Sequence, residues 1–332
     1  MKQTVYIEAP CTDPAFNLAL EEYIFTAMPR DRSYLMLWQN DNTIVVGRHQ
    51  NTLSEIDLSY VTERGIRVVR RLSGGGAVYH DLGNLNYSFI TDAQEDETVN
   101  LRRFCQPVAD ALCALGVDAK VDGRNDILAG GCKISGNAQY VRQGRVMHHG
   151  TLLFDSDLSV LGRALQADPE KIKAKGVKSV RSRVSNIRAL LPKDCTLSQF
   201  KEHLRHYLLK DLPHSVYTLT QKDVETIEQM RRERYGTWDW NFGASPPCTI
   251  LRRRRIEGCG TVQAHILLEK GCIQELSLLG DFFSTEGPEG LADKLMGLPM
   301  TYDACEKALA NVDVSRHISG LSKETFLALL FE

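Results

Sequence analysis

The run Arg70-Arg71-Leu72-Ser73-Gly74-Gly75-Gly76-Ala77-Val78-Tyr79-His80-Asp81-Leu82-Gly83-Asn84 constrains this chain more than any other stretch. Two arginines enter a triple-glycine turn, and a His-Asp-x-Gly-Asn cluster leaves it. Glycine admits positive φ and close backbone approach, so consecutive N–H groups can cradle anionic oxygens. Arginine adds a planar, permanently charged fork suited to carboxylate or phosphate. Ile66–Val69 reads as a strand before the turn and Leu85–Ile90 as a strand after it. A strand–loop–strand anion site is neither a Walker loop nor a Rossmann fingerprint, since both of those open a helix with other spacings. The run therefore marks a ligand site between strands.

The rest of the chain reads as two units. Asp13-Pro14 predicts a capped helix start, followed by an apolar stripe of Phe16, Leu20, Tyr23 and Ile24 with Asn17, Glu21 and Glu22 elsewhere. Ser33–Gln39 and Thr43–Val46 read as a hairpin around Asn40-Asp41-Asn42. A helix from Leu101 to Leu115 is expected to end at Gly116. Residues 117–154 read as strands with a hairpin turned at Gln143-Gly144. Helices are expected at 157–166, 169–175, 198–211 and 222–234. Proline and glycine replace periodic sequence near Phe242–Pro247, and beyond it 249–256, 261–268 and 272–279 alternate like three antiparallel strands. This order fits an α+β core over 1–245 and a small C-terminal α+β domain over 246–332. Arg252–Arg255 falls in a strand pattern, so the four side chains divide between two faces, as on a solvated edge strand.

Composition excludes several classes. A net charge of -2 is not that of a generally basic nucleic-acid binder. No run of about 18 apolar residues is present, so no membrane span is expected. The first residues show no signal-peptide pattern, and nine cysteines without a C-x-x-C pair suggest reduced thiols and a cytoplasmic protein.

The glycine run resembles the substrate loop of lipoate–protein ligases, relatives of biotin–protein ligases. The likeness extends through Gly123-Arg124-Asn125-Asp126-Ile127, Lys133-Ile134-Ser135-Gly136-Asn137-Ala138, His148-His149-Gly150-Thr151-Leu152-Leu153, Lys175–Asn186 and Trp238–Gly243, and covers most of residues 1–245. It implies a biotin/lipoate-ligase-like mixed β-sheet core flanked by helices, with a small accessory domain. It also implies a reaction: lipoate and ATP give lipoyl-AMP and pyrophosphate, and lipoyl then passes to a lysine of a carrier. The carriers implied are the lipoyl domains of 2-oxo-acid dehydrogenase complexes and the glycine cleavage H protein. ATP, Mg²⁺ and a monomeric enzyme complete that expectation.

Within this frame Lys133, set between Gly130-Gly131 and Ser135-Gly136, is the expected catalytic cation. Alone it would read as a solvated strand lysine. Arg71, with Arg70 as the alternative, is expected on phosphate or carboxylate oxygens. Ser73, Gly74, Gly75, Gly76, Ala77, Val78, Tyr79, Asn84 and Gly136 are candidates for substrate or ATP contacts. His80 is expected to hydrogen-bond ligand, with Asp81 orienting the loop. Adjacent strand residues face opposite ways, so only one of His148 and His149 can meet ligand, and His149 is the choice. Asn125 and Asp126 are candidate Mg²⁺ contacts, or else an Asx turn. The basic segment 171–188 reads as an adenylate-binding loop, with Gly176, Val177, Ser179, Val180, Arg181 and Ser182 as its contacts. Trp38 is either an apolar pocket wall or a core residue. Two rival activities remain: an acyl transferase that needs no ATP and uses a cysteine, for which Cys132 is the candidate, and a non-catalytic lipoyl-adenylate binding module. Preference for lipoate over octanoate is not readable.

Overall fold

Strand β1 (Thr4–Glu8) buries Val5 and Ile7 in one cluster and Tyr6 in another. Strand β2 (Ser33–Trp38) divides in the same way, with Tyr34, Met36 and Trp38 on one side and Leu35 and Leu37 on the other. Strands apolar on both faces belong inside a layered sheet. The computed structural model, which describes residues 2–93, 100–123, 125–165, 184–243, 250–269 and 272–331, places them there.

The sheet has eight strands in the order β11-β1-β2-β6-β10-β9-β8-β7. The further members are β6 (Asn84–Asp92), β7 (Ala119–Asp122), β8 (Asp126–Ala129), β9 (Cys132–Arg142), β10 (Arg145–Leu153) and β11 (His214–Val216). β1 runs parallel to β2 and β11, and the remaining pairs are antiparallel. Helix α1 (Pro14–Thr26), the helix Gln221–Met230 and the turn Arg231–Tyr235 cover one face, while the helices Arg102–Ala114 and Leu197–Leu209 cover the other. β9 and β10 form the expected hairpin, turned by Gln143 and Gly144 at φ of 50° and 70°, the pair of positive values that a tight two-residue turn needs.

One expectation is corrected. Ser33–Gln39 and Thr43–Val46 are not a hairpin. Both edges of β2 are taken by β1 and β6, and the chain turns at Asn42 (φ 41°) into a separate sheet in which β3 (Thr43–Val46) lies between β4 (Arg67–Arg70) and β5 (Val78–His80). Helix α1 is buried beyond its apolar stripe. Asn17, Glu21 and Glu22 are buried because each has partners: carbonyls of Cys11 and Gln39 for Asn17, Ser88 and His149 for Glu21, Arg234 and Tyr235 for Glu22.

Beyond residue 250, β12 (Ile250–Ile256), β13 (Gly260–Glu269) and β14 (Cys272–Gly280) form an antiparallel sheet with its own core, including Val262, Ala264, Ile266, Phe326 and Leu330. The arginine-rich β12 is an edge strand.

Asp223 ties α1 to the helix Gln221–Met230. It closes a capping box with Thr220 and also accepts from the hydroxyls of Tyr217 (2.8 Å) and Tyr23. Burial pushes its pKa up, but these donors outweigh that and hold it down at about 2. A carboxylate with a depressed folded pKa adds stability above its unfolded value, and that stability disappears as pH falls through the folded one. Asp223→Asn should therefore cost about 2 kcal/mol near neutral pH. Urea midpoints of the two proteins should converge as pH drops from about 4 to about 2.

Candidate functional site

Over the middle of the α1 face, the small β4-β3-β5 sheet and the glycine loop form a roof above the large sheet. Between them lies a cavity of about 110 Å³. Register explains its floor. Trp38, Asn86 and Thr151 are cross-strand partners on β2, β6 and β10, and Met36, Ser88, His149 and Ala138 form the next row. The roof is Val45, the backbone from Gly75 to Val78, and His80, while α1 contributes Leu18.

Lys133 stands at the β9 end of the cavity. Its ammonium is 2.7 Å from the Asp126 carboxylate. It rests over Gly136, where a Cβ would come within 2.9 Å of Nζ. Its carbonyl accepts from the Ser185 amide at 3.0 Å, and its backbone bridges to Val184. Asn125 and Asp126, expected on a metal, are otherwise engaged. The Asn125 side chain donates to the Asn137 carbonyl at 3.0 Å, and the one carboxylate of the pair is taken by Lys133. That donor set is a poor fit for Mg²⁺, because its one carboxylate is already paired with an ammonium that would repel the metal.

The two arginines do not reach into the cavity as ligand-facing forks. Arg70 is 1% exposed, and its guanidinium donates to the carbonyls of Gly47, Arg48, Gln50, Trp240 and Asn241 and to the Thr52 hydroxyl, at 2.7–3.2 Å. Arg71 lines the cavity, but its donors go to Val45, Gly74 and Gly76 carbonyls and to Ser73 Oγ. Burial lowers both guanidinium pKa values to about 10, which leaves them charged at neutral pH. In this structure both act on the protein: they shape the glycine loop.

That loop is held from outside as well. The Gly75 amide donates to the Phe282 carbonyl at 3.0 Å, and a Cβ on Gly74 would lie 2.1 Å from the same oxygen. Gly75 has φ of 91°, which a side chain would strain. Ser73 Oγ is 2.6 Å from His149 Nε2, and His149 Nδ1 is 3.0 Å from the buried Glu21 carboxylate. Strand alternation turns His149 to the cavity and His148 to the opposite face, against Phe104 and Cys105.

Other expected residues are distributed unevenly. Gly76, Ala77, Val78, His80 and Gly136 line the cavity. Tyr79 points into the core of the small sheet, its hydroxyl on Asn42, and Asn84 lies behind the wall with its amide on Asn86 Oδ1. Gly176, Val177, Ser179, Val180, Arg181 and Ser182 lie outside the described residues. Trp38, left open by the sequence, is a wall. Sequence reasoning missed Glu21, Asn86 and Thr151. Glu21 and Asn86 are polar on elements whose pattern had marked only apolar positions, whereas Thr151, two residues beyond His149 on β10, shares its face by the same strand alternation.

Two family descriptions match the chain: the lipoyl protein ligase A/B catalytic domain over residues 13–209, and the bacterial lipoate protein ligase C-terminus over 245–330. Among solved structures, P. falciparum LipL1 in complex with lipoate has the same fold, with a TM-score of 0.78 at 21% identity over 99% of this chain and 97% of that one. A lipoate-protein ligase A bound with ATP is 28% identical with a TM-score of 0.63, over 74% of this chain and 100% of that one. The lipoate-protein ligase LplJ of Bacillus subtilis is 42% identical over 96% of this chain and 97% of its own length. Identity at that level over nearly the whole of both chains, joined to a glycine loop, a lysine and an apolar cavity in one site, makes this chain a member of the lipoate–protein ligase family.

Proposed function

We propose that this protein is an ATP-dependent lipoate–protein ligase. The observation that carries the reading is the Lys133 ammonium at one end of a mostly apolar cavity roofed by the glycine loop. In the first step a lipoate carboxylate oxygen attacks the α-phosphorus of ATP, a new P–O bond forms, and the bond to pyrophosphate breaks. The attacking carboxylate is already ionised at neutral pH, so no general base is required. Lys133 bridges the carboxylate and the α-phosphate and offsets charge developing between them. Asp126 holds the ammonium before ligand arrives. Amides of the glycine loop from Gly75 to Val78 act as the second set of donors, and Arg70 and Arg71 keep those amides in place.

In the second step the neutral amine of a carrier lysine attacks the acyl carbon, AMP leaves, and the amine loses a proton to solvent. Leu18, Trp38, Val45 and Ala138 supply apolar walls for the lipoyl chain. Mg²⁺ brought by ATP would offset phosphate charge, and none of the residue roles above depends on Asn125 or Asp126 ligating it. The family resemblance makes Gly176, Val177, Ser179, Val180, Arg181 and Ser182, in the basic segment 171–188, the adenylate contacts. The carriers are lipoyl domains of 2-oxo-acid dehydrogenase complexes and the glycine cleavage H protein. We take residues 1–245 as catalytic and 246–332 as accessory, in a cytoplasmic monomer. A thioester-forming transferase would need a cysteine in the cavity wall, and the described lining contains none.

Lipoate-dependent exchange of labelled pyrophosphate into ATP tests the reading. Wild type should exchange, and Lys133→Ala should lose about 10²–10³-fold or more, as when a preorganised charge-stabilising donor is removed. A folded wild type without exchange would sink the ATP-dependent ligase. Gly136→Ala puts a methyl against Nζ and should lower exchange about 10²-fold while leaving the urea midpoint near wild type, since a displacement of about 1 Å is costly to chemistry.

A further inference from the structure

The polar side chains in the cavity wall can be accounted for one by one. Trp38 Nε1 donates to Ser88 Oγ (2.9 Å), both His149 nitrogens are engaged, and Thr151 Oγ1 exchanges hydrogen bonds with the Gly136 backbone. Asn137 and Asn125 hold one another, and the donors of Arg71 are taken by carbonyls and Ser73. Among the described residues, two donors are left over. His80 Nε2 and Asn86 Nδ2 are buried without a partner, in residues that are 3% and 1% exposed.

Their state as donors follows from their neighbours. Asn17 Nδ2 donates to Asn40 Oδ1 (3.1 Å), which turns the Asn40 amide nitrogen toward His80 Nδ1 at 3.2 Å. His80 Nδ1 therefore accepts, and the proton sits on Nε2. Burial, then Arg71 and His149, lower the His80 pKa to about 3, so the ring is neutral. Asn86 Oδ1 accepts from Asn84 Nδ2 at 2.9 Å, which leaves its amide nitrogen as the unpaired end. Both residues flank Trp38: His80 meets its ring edge-on at 6.1 Å, and Asn86 is its cross-strand partner.

Strand spacing places this pair relative to the reacting carboxylate. Adjacent strands lie roughly 4.8 Å apart, so Asn86 on β6 is about 10 Å across the floor from Gly136 on β9, over which the Lys133 ammonium is folded, and Trp38 on β2 is about 14 Å from it. An extended lipoyl chain carries its ring roughly 6–9 Å from the carboxyl carbon, by ordinary bond lengths. With the carboxylate at Lys133, the ring arrives beside Asn86 and His80.

Resting on the ligase reading above, we propose that His80 Nε2–H and Asn86 Nδ2–H are sulfur-facing donors that select a dithiolane-bearing acid over an acyl chain lacking sulfur. Ring sulfur is a weak acceptor, but it is an acceptor. A purely hydrocarbon tail covers both donors and offers them nothing, and a site with buried unmatched donors rejects the analogue that lacks the partner.

The test compares R-lipoate with 5-cyclopentylpentanoate, which keeps the ring and chain and replaces both sulfurs with carbon. Pyrophosphate exchange is measured with each acid for wild type, Asn86→Leu and His80→Phe. Wild type should favour lipoate by about 5- to 20-fold in kcat/KM, mostly through KM, because the ring is remote from the reacting carboxyl. Each substitution should pull that ratio toward one, with the hydrocarbon acid improving relative to lipoate. A wild-type ratio near one overturns the proposal, and this holds even if neither variant folds. So does an equal loss on both acids in folded variants, which is what a purely structural role predicts. Exchange with neither acid removes the ligase reading, and this inference with it.

Discussion

The architecture around the site depends on one buried cation held by oxygen dipoles. Arg70 gathers five carbonyls and a hydroxyl from residues 47–52 and 240–241. Removing a guanidinium from water is costly, and charge-assisted hydrogen bonds to several carbonyls offset that cost without a carboxylate beside it. The Arg70 amide donates to Asn241 Oδ1, and Trp240 Nε1 donates to the Arg70 carbonyl. The guanidinium of Arg48 then stacks on Trp240 at 4.3 Å. Segments about 170 residues apart in sequence are thus tied at one point, directly behind the glycine loop. Arg71 repeats the arrangement one residue later, with its fork closed on the loop itself.

The large sheet contributes a floor because its two faces are occupied differently. On the face under Arg102–Ala114 the contacts are mostly apolar, interrupted by the buried pair His148 and Asn137. On the α1 face the rows through Trp38 and Met36 pass into Asn86, Ser88, His149 and Thr151, so a polar lattice crosses an otherwise apolar surface. Glu21 anchors that lattice from the helix side. A carboxylate at this depth stays only because imidazole and hydroxyl groups bond it, and the result is a rigid wall rather than a liquid-like one.

Much of this was legible in the sequence wherever function forces unusual residues together. Arg70–Asn84 announces itself, Lys133 stands out among glycines, and strand alternation distinguished His149 from His148. The C-terminal strands followed from period two. What stayed hidden has a common cause: each feature depends on partners distant in sequence. Glu21 and Glu22 look like the wet side of a helix until Ser88, His149, Arg234 and Tyr235 arrive. Thr43–Val46 looks like the return of a hairpin until β6 claims the edge of β2. Arg70 reads as a ligand fork because a sequence does not display which backbone carbonyls will surround it. Asn86 sits in a strand where apolar neighbours dominate the pattern.

One amide in the glycine loop carries a consequence for the whole molecule. The Gly75 N–H, an obvious donor for an anionic oxygen, is bonded to Phe282 O, and Phe282 in turn stacks on His49 at 4.8 Å. An anion that claims this hydrogen and the C-terminal unit that now holds it are competitors for a single proton. Competition of this kind is reciprocal in free energy: however much docking of Phe282 weakens the anion, the anion weakens docking by the same factor. The affinity of the loop for its ligand is therefore also a measure of how firmly two parts of one chain are fastened together.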